Sequence, residues 1–311
     1  DWRASTQIAC LPGAPGPPPQ VYGAVWRPDG AGFVTFGVKH LKMFTITPSI
    51  KGGGKESVST KPGSFKDQAA QDVLCAAFLP GSGDEPTFVT GHPSGAIYTW
   101  RGRACIGAEA GAHAKPVRVL RAIPEAGMLV SGGADGVVSR WRAVKGELGA
   151  RIGQSVRVPR ELDMPAAAPV AGICAMDVGS VGGASGDGGY PAEEVSGERV
   201  FAAVGTAAGD VWALPLAAVT PDGGAEGVSP PEEPVGAALL TRGHRAEVRS
   251  VAWSSEGWFA VAADQGRVAI WDAAAEATGG VCVGVVHLAE PAPGKARAVA
   301  FTPDSRQLAV G

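Results

Sequence analysis

A serine, a histidine and an aspartate lie within a short stretch of this 311-residue chain, at Ser131, His113 and Asp135. These residue types carry out nucleophilic catalysis when a base activates the hydroxyl and a carboxylate orients the base. However, no Gly-x-Ser-x-Gly elbow surrounds Ser131, and the glycine-rich stretch around Ser185 also lacks that spacing. We therefore expect no acyl-transfer chemistry here and predict no catalytic residue.

The other motifs that could do chemistry are incomplete. The run GGGK at 52–55 lacks the leading glycine and the following serine or threonine of a phosphate-binding loop. The histidines, at positions 40, 92, 113, 244 and 287, show no metal-ligand spacing, and the 5 cysteines contain no C-x-x-C pair. We predict no metal, no cofactor and no disulfide framework, which fits a reducing compartment.

Composition and charge limit the classes of partner. The chain has 27 basic and 30 acidic side chains and a formal net charge of −3, which argues against a nucleic-acid-binding protein with a basic patch. No segment approaches the run of about 18 apolar residues that a membrane-spanning helix needs, so we expect no membrane partner. With 46 glycines, 25 prolines and 45% hydrophobic residues, the chain suits short strands joined by turns.

One stretch of the chain is rich in lysine. Between positions 39 and 66, six lysines accompany a single acidic residue, Glu56. The six are Lys39, Lys42, Lys51, Lys55, Lys61 and Lys66. An exposed basic loop of this kind could contact an acidic partner surface, because attraction between opposite charges speeds and orients association. The alternative is a set of solvated lysines without a partner.

A three-strand pattern repeats along the chain. An apolar strand such as VYGAVW (21–26) or VRSVAW (248–253) precedes two more short strands and a looser fourth, and the pattern restarts after roughly 40–50 residues. The third strand ends in an aromatic residue at Phe44, Trp100, Trp141 and Trp271, with Leu214 in the remaining copy. This pattern predicts an all-β, WD40-type β-propeller. A β-sandwich or a barrel is the alternative.

The repeats divide the chain into blades. We predict five complete blades, flanked by partial blades at 1–20 and 291–311. The complete blades are expected at about 21–70, 72–113, 116–168, 170–244 and 247–290. Because the chain begins and ends inside a blade, we expect it to be part of a longer, tandem propeller. The stretches 47–71, 180–198 and 217–237 are expected to be surface loops.

WD40 blades often contain a buried relay in which aspartate holds a histidine ring, the histidine meets a hydroxyl and the hydroxyl meets an indole N–H. The third blade has all four residue types, at His113, Ser131, Asp135 and Trp141, and the resemblance implies a structural rather than a catalytic role. In the fifth blade Gln265 stands where the aspartate belongs, although His244 and Trp271 are present. In the second blade Ser94 takes the aspartate position. We expect the blades other than the third to depend mostly on apolar packing.

Four motifs, in order, resemble the echinoderm microtubule-associated protein-like family: GVKHLKMF (37–44), TGHPSGAIYTW (90–100), AHAKPV (112–117) and LVSGGAD (129–135). The resemblance implies two joined atypical propellers without catalytic activity. It also implies a scaffold that binds tubulin, microtubules and other axonemal or cytoskeletal proteins, in the cytoplasm and in the axoneme of cilia or flagella. The family's coiled-coil segment is not in this sequence. The alternative is a soluble WD40 adaptor that docks peptide motifs in a signalling or protein-turnover complex.

Overall fold

The computed structural model describes residues 20–47, 57–81, 85–153, 155–158, 172–181, 199–216, 238–241, 247–263, 267–272, 281–287, 296–302 and 304–311. Within these ranges the strands form antiparallel β-sheets, and they are accompanied by one 3-10 turn at Pro124–Ala126 and an isolated parallel bridge between Ser64 and Ala104. Several four-stranded sheets follow one another along the chain, each built from consecutive strands. The predicted all-β, propeller-type fold is therefore confirmed.

The sheets are numbered in chain order. Sheet 1 contains β1 (Val21–Trp26), β2 (Gly32–Gly37), β3 (His40–Thr47) and β4 (Ser57–Pro62). Sheet 2 contains β5 (Cys75–Phe78), β6 (Thr87–Gly91), β7 (Ile97–Arg101) and β8 (Ala104–Glu109). Sheet 3 contains β9 (Val117–Ile123), β10 (Met128–Gly133), β11 (Val137–Val144) and β12 (Glu147–Arg151), with β13 (Val156–Arg157) paired to β11.

The remaining sheets follow the same strand order. Sheet 4 contains β14 (Ile173–Val181), β15 (Arg199–Thr206), β16 (Val211–Leu216) and β17 (Ala238–Thr241). Sheet 5 contains β18 (Val248–Trp253), β19 (Trp258–Ala263), β20 (Arg267–Asp272) and β21 (Val281–His287). Sheet 6 contains β22 (Val299–Phe301) and β23 (Leu308–Val310) among the described residues.

Consecutive sheets contact each other through their first strands, in the order β1, β5, β9, β14, β18 and β22. We call these the inner strands. The end of the stack at which the inner strands begin is called the upper end, and the opposite end is called the lower end. One hydrophobic cluster fills each junction between neighbouring sheets. Stacking is therefore what buries the apolar faces that one sheet alone would leave in water.

Glycines at the ends of the second strands allow this close stacking. A Cβ atom on Gly91 would lie 2.8 Å from a Val117 methyl group in the next sheet, and one on Gly205 would lie 2.4 Å from Val248. Both distances are too short for a Cβ contact. Only glycine thus lets the next inner strand begin directly against the preceding sheet.

Candidate functional site

The four relay residues predicted in sheet 3 lie within hydrogen-bond distance of one another. The indole Nε1–H of Trp141 donates to the Ser131 hydroxyl, and that hydroxyl donates to Nε2 of His113, both at 2.8 Å. Nδ1–H of His113 donates to the Asp135 carboxylate at 3.2 Å. The backbone N–H groups of Ala114 and Val137 also donate to that carboxylate, at 2.9 and 3.1 Å. The relay therefore ties the turn after β10 to the segment before β9.

The relay is arranged to satisfy buried groups rather than to activate a nucleophile. Ser131 is fully buried and His113 nearly so, which leaves no room for a substrate carbonyl at the hydroxyl. Burial lowers the pKa of His113, and the nearby Asp135 offsets this only in part. A neutral imidazole is what the relay needs, because Nε2 must accept the serine proton while Nδ1–H donates.

Sheet 2 contains a second relay, which the sequence prediction did not include and which accompanies the apolar packing expected there. Trp100 Nε1–H donates to the Thr90 hydroxyl, and Thr90 donates to Nε2 of His92, both at 2.8 Å. Nδ1–H of His92 then donates to the backbone carbonyl of Asp72 at 2.9 Å. A backbone oxygen thus replaces the aspartate carboxylate, so Ser94 is not needed for that role. Burial lowers the pKa of His92 to about 4, which keeps the ring neutral.

In sheet 1 a histidine again meets the equivalent hydroxyl. The Thr35 hydroxyl and Nε2 of His40 are 2.8 Å apart. Phe44 replaces the tryptophan of the other sheets and stacks on Phe33 with the rings 4.5 Å apart. Because phenylalanine has no N–H to donate, the chain of hydrogen bonds ends at the threonine. The histidine comes from the start of β3 here, from the end of β6 in sheet 2 and from before β9 in sheet 3.

Sheets 4 and 5 have valine at the position of the relay hydroxyl. In sheet 4, Leu214 pairs with Ala202, and Val204 lies two residues beyond, so all three positions are apolar. In sheet 5, Trp271 pairs with Phe259 and Val261 holds the equivalent position. The buried Nε1 of Trp271 has no hydrogen-bond partner among the described residues. His244 and Gln265, predicted to bear on this blade's relay, lie outside the described residues.

The described lysines of the basic stretch are spread over separate elements. Lys39 and Lys66 lie in turns, Lys42 lies in β3, and Lys61 lies in β4, paired with Met43. The backbone N–H of Lys39 donates to the Asp72 carboxylate at 3.0 Å. Lys51 and Lys55 lie outside the described residues.

A second set of candidate site residues lies at the upper end, and the sequence analysis did not predict these residues. The strand register shifts at the second residue of the inner strand in sheets 1, 3, 4 and 5, which leaves one bulged residue in each. These residues are Tyr22, Arg118, Cys174 and Arg249. In sheet 6, Arg297 and Ala298 both donate their backbone N–H to the Gly311 carbonyl, so Arg297 lies at the same position. β-Bulges redirect side chains out of a sheet, and here they project from neighbouring inner strands.

Charged side chains lie close enough to Cys174 to influence the pKa of its thiol. Burial and, to a smaller extent, the Glu247 carboxylate raise the pKa of the Cys174 thiol to about 12, although the Arg118 and Arg249 guanidinium groups act in the opposite direction. Arg249 forms an ion pair with Glu247 at 3.0 Å. Arg118 and Arg297 are exposed and form no ion pair with another described residue. We call Arg118, Arg249 and Arg297 the upper arginines. In the sequence each follows the first core residue of its repeat, as in VR, VR and AR.

An interaction between inner strands lies below the upper arginines. The Asp177 carboxylate in β14 accepts a hydrogen bond from Arg121 Nε in β9 at 3.2 Å. It also accepts the backbone N–H of Trp253 in β18 at 2.8 Å. One side chain thus joins three consecutive sheets. Arginine, whose planar fork suits carboxylates, is enriched where proteins meet, so the upper end is the best candidate for an interaction surface.

The part of the chain that the structure describes contains no group of three or more histidine, cysteine, aspartate or glutamate residues placed to hold a metal ion. It also contains no helix long and apolar enough to cross a membrane.

Comparison with known families gives one match. The family described as WD domain, G-beta repeat (WD40) matches residues 237–272. The matched segment includes β18, β19 and β20, the first three strands of sheet 5, and ends at the Trp271–Asp272 pair. WD40 domains are typically non-enzymatic scaffolds for protein–protein interactions. The chain carries a WD40 repeat within a succession of four-stranded sheets, and this supports its assignment to the WD40-repeat proteins.

Proposed function

We propose that this chain is a non-catalytic, microtubule-associated WD-repeat scaffold that binds tubulin or other axonemal proteins in ciliary doublet microtubules. The WD40 repeat supports the general part, a scaffold for protein–protein interactions. The ordered family motifs at 37–44, 90–100, 112–117 and 129–135 support the specific part, the cytoskeletal role. The proposed location is the cytoplasm and the axoneme of cilia or flagella.

The observation that carries the proposal is where these motifs lie. They contain the turn between β2 and β3 with the first part of β3 in sheet 1, the turn between β6 and β7 with most of β7 in sheet 2, and most of β10 with its relay in sheet 3. The motif residues therefore build three neighbouring sheets, and the surfaces left for partners are the two ends and the outer edges. A stack held by interlocking sheets suits a partner that presents a fixed lattice, because a rigid surface loses little conformational entropy on binding.

Co-sedimentation with taxol-stabilised microtubules tests the proposal. We expect the protein to pellet with microtubules and to be released as the salt concentration rises, because exposed charge pairs are screened. The double variant Arg118→Glu with Arg297→Glu should pellet less. A matched double reversal at exposed positions in and beside β11, Arg142→Glu with Lys145→Glu, serves as the control. A folded protein that stays in the supernatant at low salt would contradict the microtubule assignment.

The upper arginines favour a second candidate, a soluble adaptor that docks peptide motifs in a signalling or protein-turnover complex. The exposed guanidinium groups of Arg118 and Arg297, which form no ion pair with another described residue, could hold an acidic peptide at the upper end. This candidate predicts binding of acidic peptides that the variant Arg118→Glu with Arg297→Glu abolishes, together with no microtubule pelleting. Peptide binding and pelleting, measured on the same preparation, therefore separate the two candidates.

A further inference from the structure

A cavity of about 180 Å³ opens between sheets 1 and 2 at the lower end, and none of the relay histidines or upper arginines lines it. Its apolar part is formed by Val34 and Met43 of sheet 1 and by Phe78 and Phe88 of sheet 2. These side chains belong to the hydrophobic cluster that joins the two sheets. The cavity is therefore an opening into the inter-sheet core. We call it the lower groove.

The rim of the lower groove is mostly basic. Arg27, Lys61 and Arg103 line it, and Glu85 is the carboxylate that lines it. Arg27 is already paired with Asp29 in the turn after β1. Lys61 and Arg103 are exposed and form no ion pair with any other described residue. Among its described residues, the rim thus offers two cations without an ion-pair partner beside an apolar opening.

The corresponding place between sheets 2 and 3 is closed. There the turn between β11 and β12 reaches the neighbouring sheet, and the Gly146 N–H donates to the Pro80 carbonyl at 2.9 Å. Arg101 and Glu147 add an exposed ion pair across the same junction at 3.9 Å. Between sheets 1 and 2 the turn at 102–103 forms no such hydrogen bond to the described residues of the turn after β1. The junction between sheets 2 and 3 thus has contacts at a place where the junction between sheets 1 and 2 is open.

We propose that the lower groove binds an acidic peptide segment that inserts one aromatic or aliphatic side chain between sheets 1 and 2. An apolar cavity of about 150 Å³ holds a benzene-sized group, so the observed volume suits one such side chain. Lys61 and Arg103 then pair with the acidic residues on either side, and the planar fork of Arg103 suits a carboxylate. The inference uses the role of the chain as an interaction scaffold but is independent of the microtubule assignment.

The charge pattern favours a peptide over a nucleic acid. The chain as a whole has a net charge of −3, and Glu85 lies on the rim itself. A polyphosphate backbone would meet only two unpaired cations here, whereas nucleic-acid sites extend positive charge over many contacts. A short peptide can bind here with one apolar side chain in the groove and a neighbouring carboxylate paired with a rim cation.

Fluorescence anisotropy with labelled peptides tests the proposal. The probe is an acidic peptide with a central phenylalanine, and the matched probe has glycine at that position. We expect the protein to bind the phenylalanine peptide at least tenfold more tightly than the glycine peptide. The double variant Lys61→Glu with Arg103→Glu should weaken binding at least tenfold. Both side chains are exposed, so the substitutions leave the core intact.

The variant Arg142→Glu with Lys145→Glu changes the charge by the same amount at exposed positions that line neither the lower groove nor the upper end, and it is the matched control. It should leave binding of the phenylalanine peptide unchanged. Absence of binding or equal affinity for the two peptides would overturn the proposal. Loss of binding in the upper-end variant Arg118→Glu with Arg297→Glu, but not in Lys61→Glu with Arg103→Glu, would also overturn it. So would displacement of the peptide by a short single-stranded RNA that binds more tightly. Microtubule pelleting of the same variants is a separate readout, so failure of one proposal does not imply failure of the other.

Discussion

Replacing Val261 by threonine is expected to supply the hydrogen-bond acceptor that Trp271 lacks. Val261 is fully buried in β19, and Nε1 of Trp271 is buried without a partner among the described residues. The position two residues beyond the partner of the tryptophan holds Thr90 in sheet 2, where the threonine hydroxyl accepts Trp100 Nε1–H at 2.8 Å. The same register in sheet 5 should bring a new hydroxyl to Trp271.

The size of the effect follows from two opposing costs. A buried N–H without an acceptor costs about 1–3 kcal/mol, and burying a hydroxyl without a partner costs a similar amount. In Val261→Thr each group satisfies the other, so we expect stability to stay unchanged or rise by about 1 kcal/mol. Val204 is equally buried at the equivalent position of sheet 4, but Leu214 offers no N–H. Val204→Thr should therefore lose about 1–3 kcal/mol.

The assay is urea unfolding of both variants beside the unsubstituted protein, followed by circular dichroism. Exchange of the Trp271 indole proton, followed by NMR, gives a local readout that does not depend on how cooperatively the sheets unfold. We expect the free energy of unfolding of Val261→Thr to exceed that of Val204→Thr by about 2 kcal/mol. We also expect the Trp271 indole proton to exchange more slowly in Val261→Thr. Equal losses in the two variants would refute the assignment of an unpaired indole.

Three further predictions concern the relays and the inner strands. Thr90→Val leaves both Trp100 and His92 without their hydroxyl partner and should cost about 2–4 kcal/mol by urea unfolding, so an unchanged midpoint would argue against the relay. Because the pKa of His92 is about 4 in the folded protein against an ordinary 6.5, its contribution to stability is complete above pH 6.5. It should fall by about 3 kcal/mol as the pH drops from 6.5 towards 4, and His92→Gln, which cannot titrate, should show a flatter midpoint profile over that range. Asp177→Asn weakens the contacts with Arg121 and the Trp253 N–H and should cost about 1–2 kcal/mol, whereas a midpoint equal to that of the unsubstituted protein would assign the three-sheet interaction no role.

Local sequence patterns were sufficient for the repeated unit. Short apolar segments such as VRSVAW, bounded by turn residues, and the aromatic residue at the end of most third strands predicted the three tight strands, because such segments are typical of buried strands. The pattern also brought together His113, Ser131, Asp135 and Trp141, whose types and order match a known relay. All of these features lie within a single repeat, so the sequence of that repeat is sufficient to predict them.

The relay in sheet 2 could not be found in that way. The sequence prediction looked for an aspartate near Ser94, whereas the histidine comes from the end of β6 and its partner is the backbone carbonyl of Asp72. A carbonyl is present at every residue, so nothing in the sequence singles out this one. Only the fold brings the segment before β5 close to the histidine ring.

The sequence by itself determined the repeated strands, the residues that close them and the absence of a complete catalytic motif, because each depends on the order and spacing of neighbouring side chains. The tertiary structure decided which side chains meet across sheets. It placed the upper arginines on neighbouring inner strands and put Val261, rather than a hydroxyl residue, at the relay position beside Trp271. It also opened the lower groove between sheets 1 and 2 while closing its counterpart between sheets 2 and 3. These outcomes depend on register, on bulges and on how far a turn reaches into the next sheet, and such distances in space are not encoded in the spacing along the chain.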